Sequence, residues 1–146
     1  MNTPTPIQIE ILRLSINALV RVFRITDSPA LGPGMPKLNP PDMQALLFVS
    51  RHPGCIASDI CAFLRVVPTT TSALVDRLVR QDLLSRTRTE ANRRVVLLRL
   101  TALGANVVGQ IIAQQNEHCR IMLCALSEAE RTTFLDAARK ISQTVI

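Results

Sequence analysis

Hydrophobic positions recur at helical spacing along most of this 146-residue chain. Within 5–26, Ile9, Leu12, Ile16, Leu19 and Phe23 form one stripe. Ile7, Ile11, Leu14, Ala18, Val22 and Ile25 form a second. A helix apolar on two sides must be covered on two sides. One side can face its own chain and the other a second copy, so the pattern predicts part of a dimer interface. The alternative is the central core helix of a monomer, which suits an N-terminal helix less well. Between 27 and 38, three prolines and two glycines exclude regular structure. Asn39 then caps a helix with Pro40 at its first position and Asp42 in its first turn. Met43, Leu46, Leu47 and Ser50 mark its inner face, and His52-Pro53-Gly54 ends it.

The period then shortens into a compact motif. Ser58–Leu64 reads as a short helix, Arg65-Val66-Val67 as a tight turn, and Pro68–Arg80 as a second helix. Pro68 suits a first helical position, where its missing N–H has no intrahelical partner to lose. At 100° per residue, Thr71, Leu74, Val75 and Leu78 face inward. Thr69, Ala73, Asp76 and Arg80 point outward, with Thr70, Ser72 and Arg77 on the flanks. Arg86–Thr89 and Val95–Leu98 have strand character within a hairpin from Leu84 to Leu100, its tip at Glu90–Arg94. Cys55-Ile56 can add a short strand to it. Two short helices at a tight turn are the geometry that places one helix in a DNA major groove. A basic hairpin beside them can reach an adjacent minor groove.

Beyond the hairpin, Thr101 caps a helix whose stripe includes Leu103, Val107, Val108, Ile111, Ile112, Cys119, Met122, Leu123 and Leu126. Ser127 and Glu130 form a capping box. The last helix then turns Phe134, Leu135, Ala138, Ile141 and Val145 inward. The long helix and both termini suit a dimerisation stalk.

Charge sharpens this reading. The chain carries a net +6, and its sequence pI is about 10.1. Seven arginines (77, 80, 86, 88, 93, 94 and 99) stand against Asp76, Asp82 and Glu90, so 76–99 alone holds +4 of that charge. This concentration marks a polyanion partner. Arginine suits bidentate phosphate contacts and insertion into a narrow minor groove. A solvated charged face is the blander alternative, weakened by the attachment of these charges to a helix-turn-helix pattern. With no Trp or Tyr and four Phe, aromatic stacking on single strands is disfavoured. The first turn of the second helix offers hydroxyls for phosphates or base edges and methyls for thymine. The candidate DNA-contacting residues are Arg65, Pro68, Thr69, Thr70, Ser72, Ala73, Arg77, Arg86, Arg93 and Arg94.

No apolar run approaches the ~20 residues that span a bilayer, and Glu10 interrupts any leader-like core, so a cytoplasmic protein is expected. Cys55, Cys61, Cys119 and Cys124 include no CxxC pair, and the five-residue step from 119 to 124 separates helix faces. Buried small hydrophobes are the expectation for most of them, with a redox-sensing thiol as the alternative. Glu117-His118-Cys119, and His52 with Cys55, lack a zinc spacing. No nucleophile–base–acid set, phosphate-cradling glycine loop or paired catalytic carboxylates stand out, so neither an enzyme nor a cofactor is expected.

Several short segments, in this order and with these gaps, resemble the MarR family of bacterial winged-helix transcription regulators. They are Leu38–Leu46, Leu74–Leu78, Leu83–Arg86, Asn92-Arg93-Arg94 and Leu100–Gly104, and the likeness covers about 38–104. The resemblance implies a homodimer, a palindromic operator, and repression relieved by a small anionic or phenolic ligand or by thiol oxidation. Three positions depart from the family pattern. Asn92 stands for the usual wing aspartate, Asp82 for a glycine, and Val67 for a capping Ser or Asp. The last removes about 1 kcal/mol of capping.

The fold class expected is mainly α with a small β-hairpin wing. Residues 1–37 form a dimerisation helix and linker, 38–100 the winged helix-turn-helix, and 101–146 the C-terminal dimerisation helices. The function expected is a sequence-specific double-stranded DNA-binding regulator. Alternatives are a ligand or thiol sensor, and a winged-helix module that binds protein.

Overall fold

In a computed structural model, residues 3–23 and 31–145 are described. Six helices and two strands occur among them. They are α1 (Pro6–Phe23), α2 (Pro40–Arg51), α3 (Ala57–Leu64), α4 (Pro68–Arg80), β1 (Leu84–Arg88), β2 (Val96–Leu100), α5 (Ala102–Cys124) and α6 (Glu128–Val145). The chain divides into two compact units, Met1–Ile112 and Ala113–Ile146.

Local chemistry sets the element ends in the first unit. Asn39 is extended and its Oδ1 accepts the Asp42 N–H at 2.9 Å, while prolines fill the start of α2. Asp59 Oδ2 accepts the Ile56 N–H at 3.0 Å and holds the start of α3. Arg65 ends α3 in the left-handed region, at φ 54°. Asp82 follows α4 at φ 59°, in the left-handed region that favours glycine. Its neighbour's N–H returns to Leu78 O at 2.9 Å, closing the helix end.

The core of this unit lies under the helix-turn-helix. Leu46 and Val49 of α2, Ile60 of α3, Leu74 and Leu78 of α4, Leu98 of β2 and Val107 and Ile111 of α5 are all fully buried or nearly so. Each large aliphatic side chain buried there contributes about 1.5–3 kcal/mol of transfer free energy. The strands pair antiparallel, Leu84 with Leu100, Arg86 with Leu98 and Arg88 with Val96. The expected extra strand is a single bridge from Cys55 to Leu98. Leu98 N donates to Cys55 O at 2.8 Å, and Gly54 N to Leu98 O at 2.9 Å.

Gly104 fixes how α5 enters. A Cβ there would collide with the carbonyl oxygen of Leu83. The same carbonyl accepts the Thr101 N–H at 3.1 Å, and Thr101 Oγ1 caps the helix by accepting from Gly104 N at 2.9 Å. The loop after α4 and the start of α5 are therefore bound together through backbone that only a glycine lets approach.

Four expectations are corrected. Ser50 is exposed, and the buried face of α2 is instead Asp42, Met43, Ala45, Leu46, Leu47 and Val49. Neither stripe of α1 is covered by its own chain: α1 has no buried residue, and Ile7 is 73% and Ile16 49% exposed. The hairpin's second strand begins at Val96 rather than Val95. In the second unit, Phe134, Leu135, Ala138 and Ile141 of α6 are exposed rather than inward. An apolar stripe records that a face wants cover, not that its own chain supplies it. Ile25 and the stretch 27–30 lie outside the described residues. The Ser127–Glu130 capping box forms, Ser127 N donating to Glu130 Oε2 at 2.8 Å.

Candidate nucleic-acid interface

The helix α4 separates its two faces by period alone. Thr71, Leu74, Val75 and Leu78 are buried, whereas Pro68, Thr69, Thr70, Ser72, Ala73 and Asp76 are exposed. Val67 precedes it with no side-chain cap. The first-turn N–H groups of Thr69 and Thr70 thus remain available to an outside acceptor. Thr71 turns inward, and its hydroxyl donates to Val67 O at 3.4 Å.

Arg77 is held by α2. Its Nε donates to Asp42 Oδ2 at 3.1 Å and its Nη2 to Asp42 Oδ1 at 2.5 Å. The Asp42 side chain is 2% exposed, that of Arg77 39%. Asp42's hydrogen bonds hold the Arg77 guanidinium even more firmly protonated than usual. Arg86 of β1 braces the wing against α4: its Nη2 donates to Asp76 Oδ1. A cleft of about 420 Å³ opens there between α4 and the wing, with Ala57, Ser72, Val75, Asp76, Arg86, Arg88, Val96 and Leu98 along its walls.

The wing tip is braced from within. Arg88 Nη1 donates to Arg93 O at 2.5 Å, and Asn92 N to Thr89 Oγ1 at 3.1 Å. Asn92 Oδ1 accepts the backbone N–H of Arg94 at 3.1 Å. The amide at 92 therefore orders the tip through the main chain, without a charge. Arg93 and Arg94 themselves are exposed, as is Arg65 at the turn between α3 and α4. The structure thus gathers Pro68, Thr69, Thr70, Ser72 and Ala73 on one exposed face of α4. Arg86 joins that helix to the hairpin that carries Arg93 and Arg94.

Sequence reasoning missed two partners. Asp42 looked like a first-turn acid, and nothing within one helix turn indicates a partner 35 residues away. Asp76 is placed on the outward face of α4 by the helical period, which names no partner for it. The arginine count of the hairpin was the one available hint that it would be neutralised.

The cysteines are free. Cys55 is buried, and that burial, with Asp59 nearby, pushes its thiol pKa up. Cys61 is half-buried and its thiol donates to Val66 O at 2.9 Å. Cys119 and Cys124 are exposed. Among the described residues no three His, Cys, Asp or Glu side chains group as metal ligands, and no helix is long and apolar enough to cross a membrane.

A short helix, a tight turn, a second helix with one polar exposed face, and an antiparallel arginine hairpin together define a winged helix-turn-helix protein. Residues 37–95 match the family model described as MarR family. Over those residues the chain is similar to the MarR family of winged-helix regulators, and its fold is theirs. Among curated relatives, the HTH-type transcriptional repressor MdtR of Bacillus subtilis (strain 168) is 25% identical over 134 residues, covering 90% of this chain and 84% of MdtR. The uncharacterized HTH-type transcriptional regulator YwhA of the same organism is 26% identical over 98 residues, 67% of this chain and 70% of YwhA. A MarR family protein from Bacillus stearothermophilus superimposes with a TM-score of 0.80 at 26% identity, over 99% of this chain and 98% of that one. Streptococcus pneumoniae FabT, solved in complex with DNA, shares the fold with a TM-score of 0.75 at 19% identity, over 95% and 94% of the two chains.

Proposed function

We propose that this chain is a sequence-specific regulator of transcription that binds double-stranded DNA as a homodimer on a palindromic operator. The observation that carries this reading is the joining of a hydroxyl-edged helix face to an arginine hairpin through Arg86 and Asp76. Thr69, Thr70, Ser72 and Ala73 meet base edges and phosphates in the major groove, with Pro68 opening the helix. Arg93 and Arg94 reach the adjacent minor groove, and Arg65 contacts the backbone from the turn. Arg77 acts mainly through Asp42, fixing the angle of α4.

Two copies are needed because one helix reads too few base pairs for an operator. The exposed apolar faces of α1 and of α6 each suit pairing with a second copy. Residues 1–37 and 101–146 serve that pairing, and 38–100 serves the duplex. Repression relieved by a small anionic or phenolic effector is the regulatory mode the resemblance to the MarR family favours.

The experiment is selection of bound fragments from the source genome with purified protein, followed by competition with candidate effectors. Enrichment of an inverted repeat supports the reading. Absence of retention on any duplex at low salt contradicts it and favours a protein-binding winged helix.

A further inference from the structure

One ion pair crosses the cleft between α4 and the wing. Asp76 stands exposed on the outward face of α4, Arg86 stands exposed in the middle of β1, and Arg86 Nη2 donates to Asp76 Oδ1. Asp76 is the single acid in the helix sequence PTTTSALVDRLVR. The other acids of this region have local tasks or positions: Asp59 caps α3, Asp82 follows α4, and Glu90 lies at the wing tip. A carboxylate on a face that meets phosphates repels them unless it is neutralised or used.

The side chains of Arg86 and Asp76 are 43% and 53% exposed, so the pair adds little to folding stability. Its effect is on orientation. A free arginine samples many rotamers and loses that freedom on binding. Asp76 engages part of a five-donor fork and leaves the rest for another acceptor.

We propose that Asp76 is a positioning residue for operator binding: it presents the Arg86 guanidinium at the mouth of the cleft to a DNA phosphate, and ties the wing to the recognition helix. This inference rests on the DNA-binding reading above. It runs against simple charge counting. Deleting a carboxylate makes the surface more basic, which by itself strengthens binding to any duplex. If Asp76 positions Arg86, binding to the selected sequence weakens instead.

The test uses the full chain and two duplexes of about 30 base pairs, long enough for two half-sites. One carries the most enriched selected sequence, the other a scramble of it. Wild type, Asp76→Ala, Asp76→Asn, Arg86→Ala and the Asp76→Ala/Arg86→Ala double variant are titrated at several salt concentrations. Thermal melting confirms that each variant is folded.

Asp76→Ala is expected to lose roughly 3–10-fold on the selected duplex while binding the scramble as well as wild type or better. Asp76→Asn falls between. Arg86→Ala loses at least as much and lowers the salt slope by about 1. The double variant is no worse than Arg86→Ala, because Asp76 acts through Arg86. The charge swap Asp76→Arg/Arg86→Asp separates positioning from bracing. It restores an ion pair, yet leaves no cation at position 86 to meet the phosphate, so selected binding stays low. Tighter binding of Asp76→Ala to both duplexes alike, additive losses in the double variant, or recovery by the charge swap each overturn the proposal. Failure of wild type to bind either duplex refutes the DNA-binding reading itself, and that is visible before any variant is made.

Discussion

Asp42 and Arg77 join α2 to α4 by two hydrogen bonds, at 3.1 and 2.5 Å, across 35 residues of sequence. The carboxylate is buried and the guanidinium half-exposed. A buried carboxylate without its cation keeps its desolvation cost and loses its compensation. Arg77→Ala is therefore expected to destabilise the fold by about 2–3 kcal/mol in urea unfolding. Arg77→Lys should recover only part of this, because an ammonium cannot reproduce the planar fork. A loss below 0.5 kcal/mol, roughly the size of a surface change, would show that the pair does not hold α4.

Gly104 supplies the second structural prediction. Gly104→Ala improves helix propensity by up to about 1 kcal/mol, yet drives a methyl into the Leu83 carbonyl. The collision is with backbone, which cannot rotate aside. A net loss of about 1–3 kcal/mol is expected in the same unfolding assay. A stabilised variant would mean that α5 enters the domain with more slack than its contacts indicate.

The helix α4 lacks a side-chain cap at Val67, which is 60% exposed. Val67→Ser should add about 1 kcal/mol of stability by capping a first-turn N–H. Asp82, left-handed at φ 59°, offers a similar gain with Asp82→Gly, about 0.5–1 kcal/mol. Thermal melting reads both. No rise in either midpoint would remove the two departures from the family pattern as sources of lost stability.

The exposed tip carries its own prediction. Arg94→Ala should weaken binding to the selected duplex by roughly 1–3 kcal/mol, with folding stability unchanged because its side chain is exposed at the tip. Titration at fixed salt measures it. Unchanged affinity would take the wing tip out of the interface.

The order of legibility in this chain follows the range of the interactions. The buried set Thr71, Leu74, Val75 and Leu78 follows from the helical period alone, because one face of α4 packs on the core. The ends of α2, α5 and α6 follow from Asn39, Thr101 and Ser127, whose side chains act within three residues. The Asp42–Arg77 anchor was not legible, since it depends on two helices meeting in space. The stripes of α1 and α6 were legible as apolar faces, yet sequence period carries no information on which surface covers them. The Arg86–Asp76 pair lies between these cases: both residues stood out, but their meeting depends on the wing folding back beside α4.

The central claim is that two recognition helices reach one side of a duplex together. A dimer carries +12, twice the +6 of the chain, so the binding it makes should also weaken steeply with salt. The most direct measurement is a hydroxyl-radical footprint of the full-length protein on its selected fragment. The expected result is two protected patches on one face of the DNA, related by a dyad and separated by about one helical turn, ~34 Å. A single patch, or uniform protection independent of sequence, would contradict the claim.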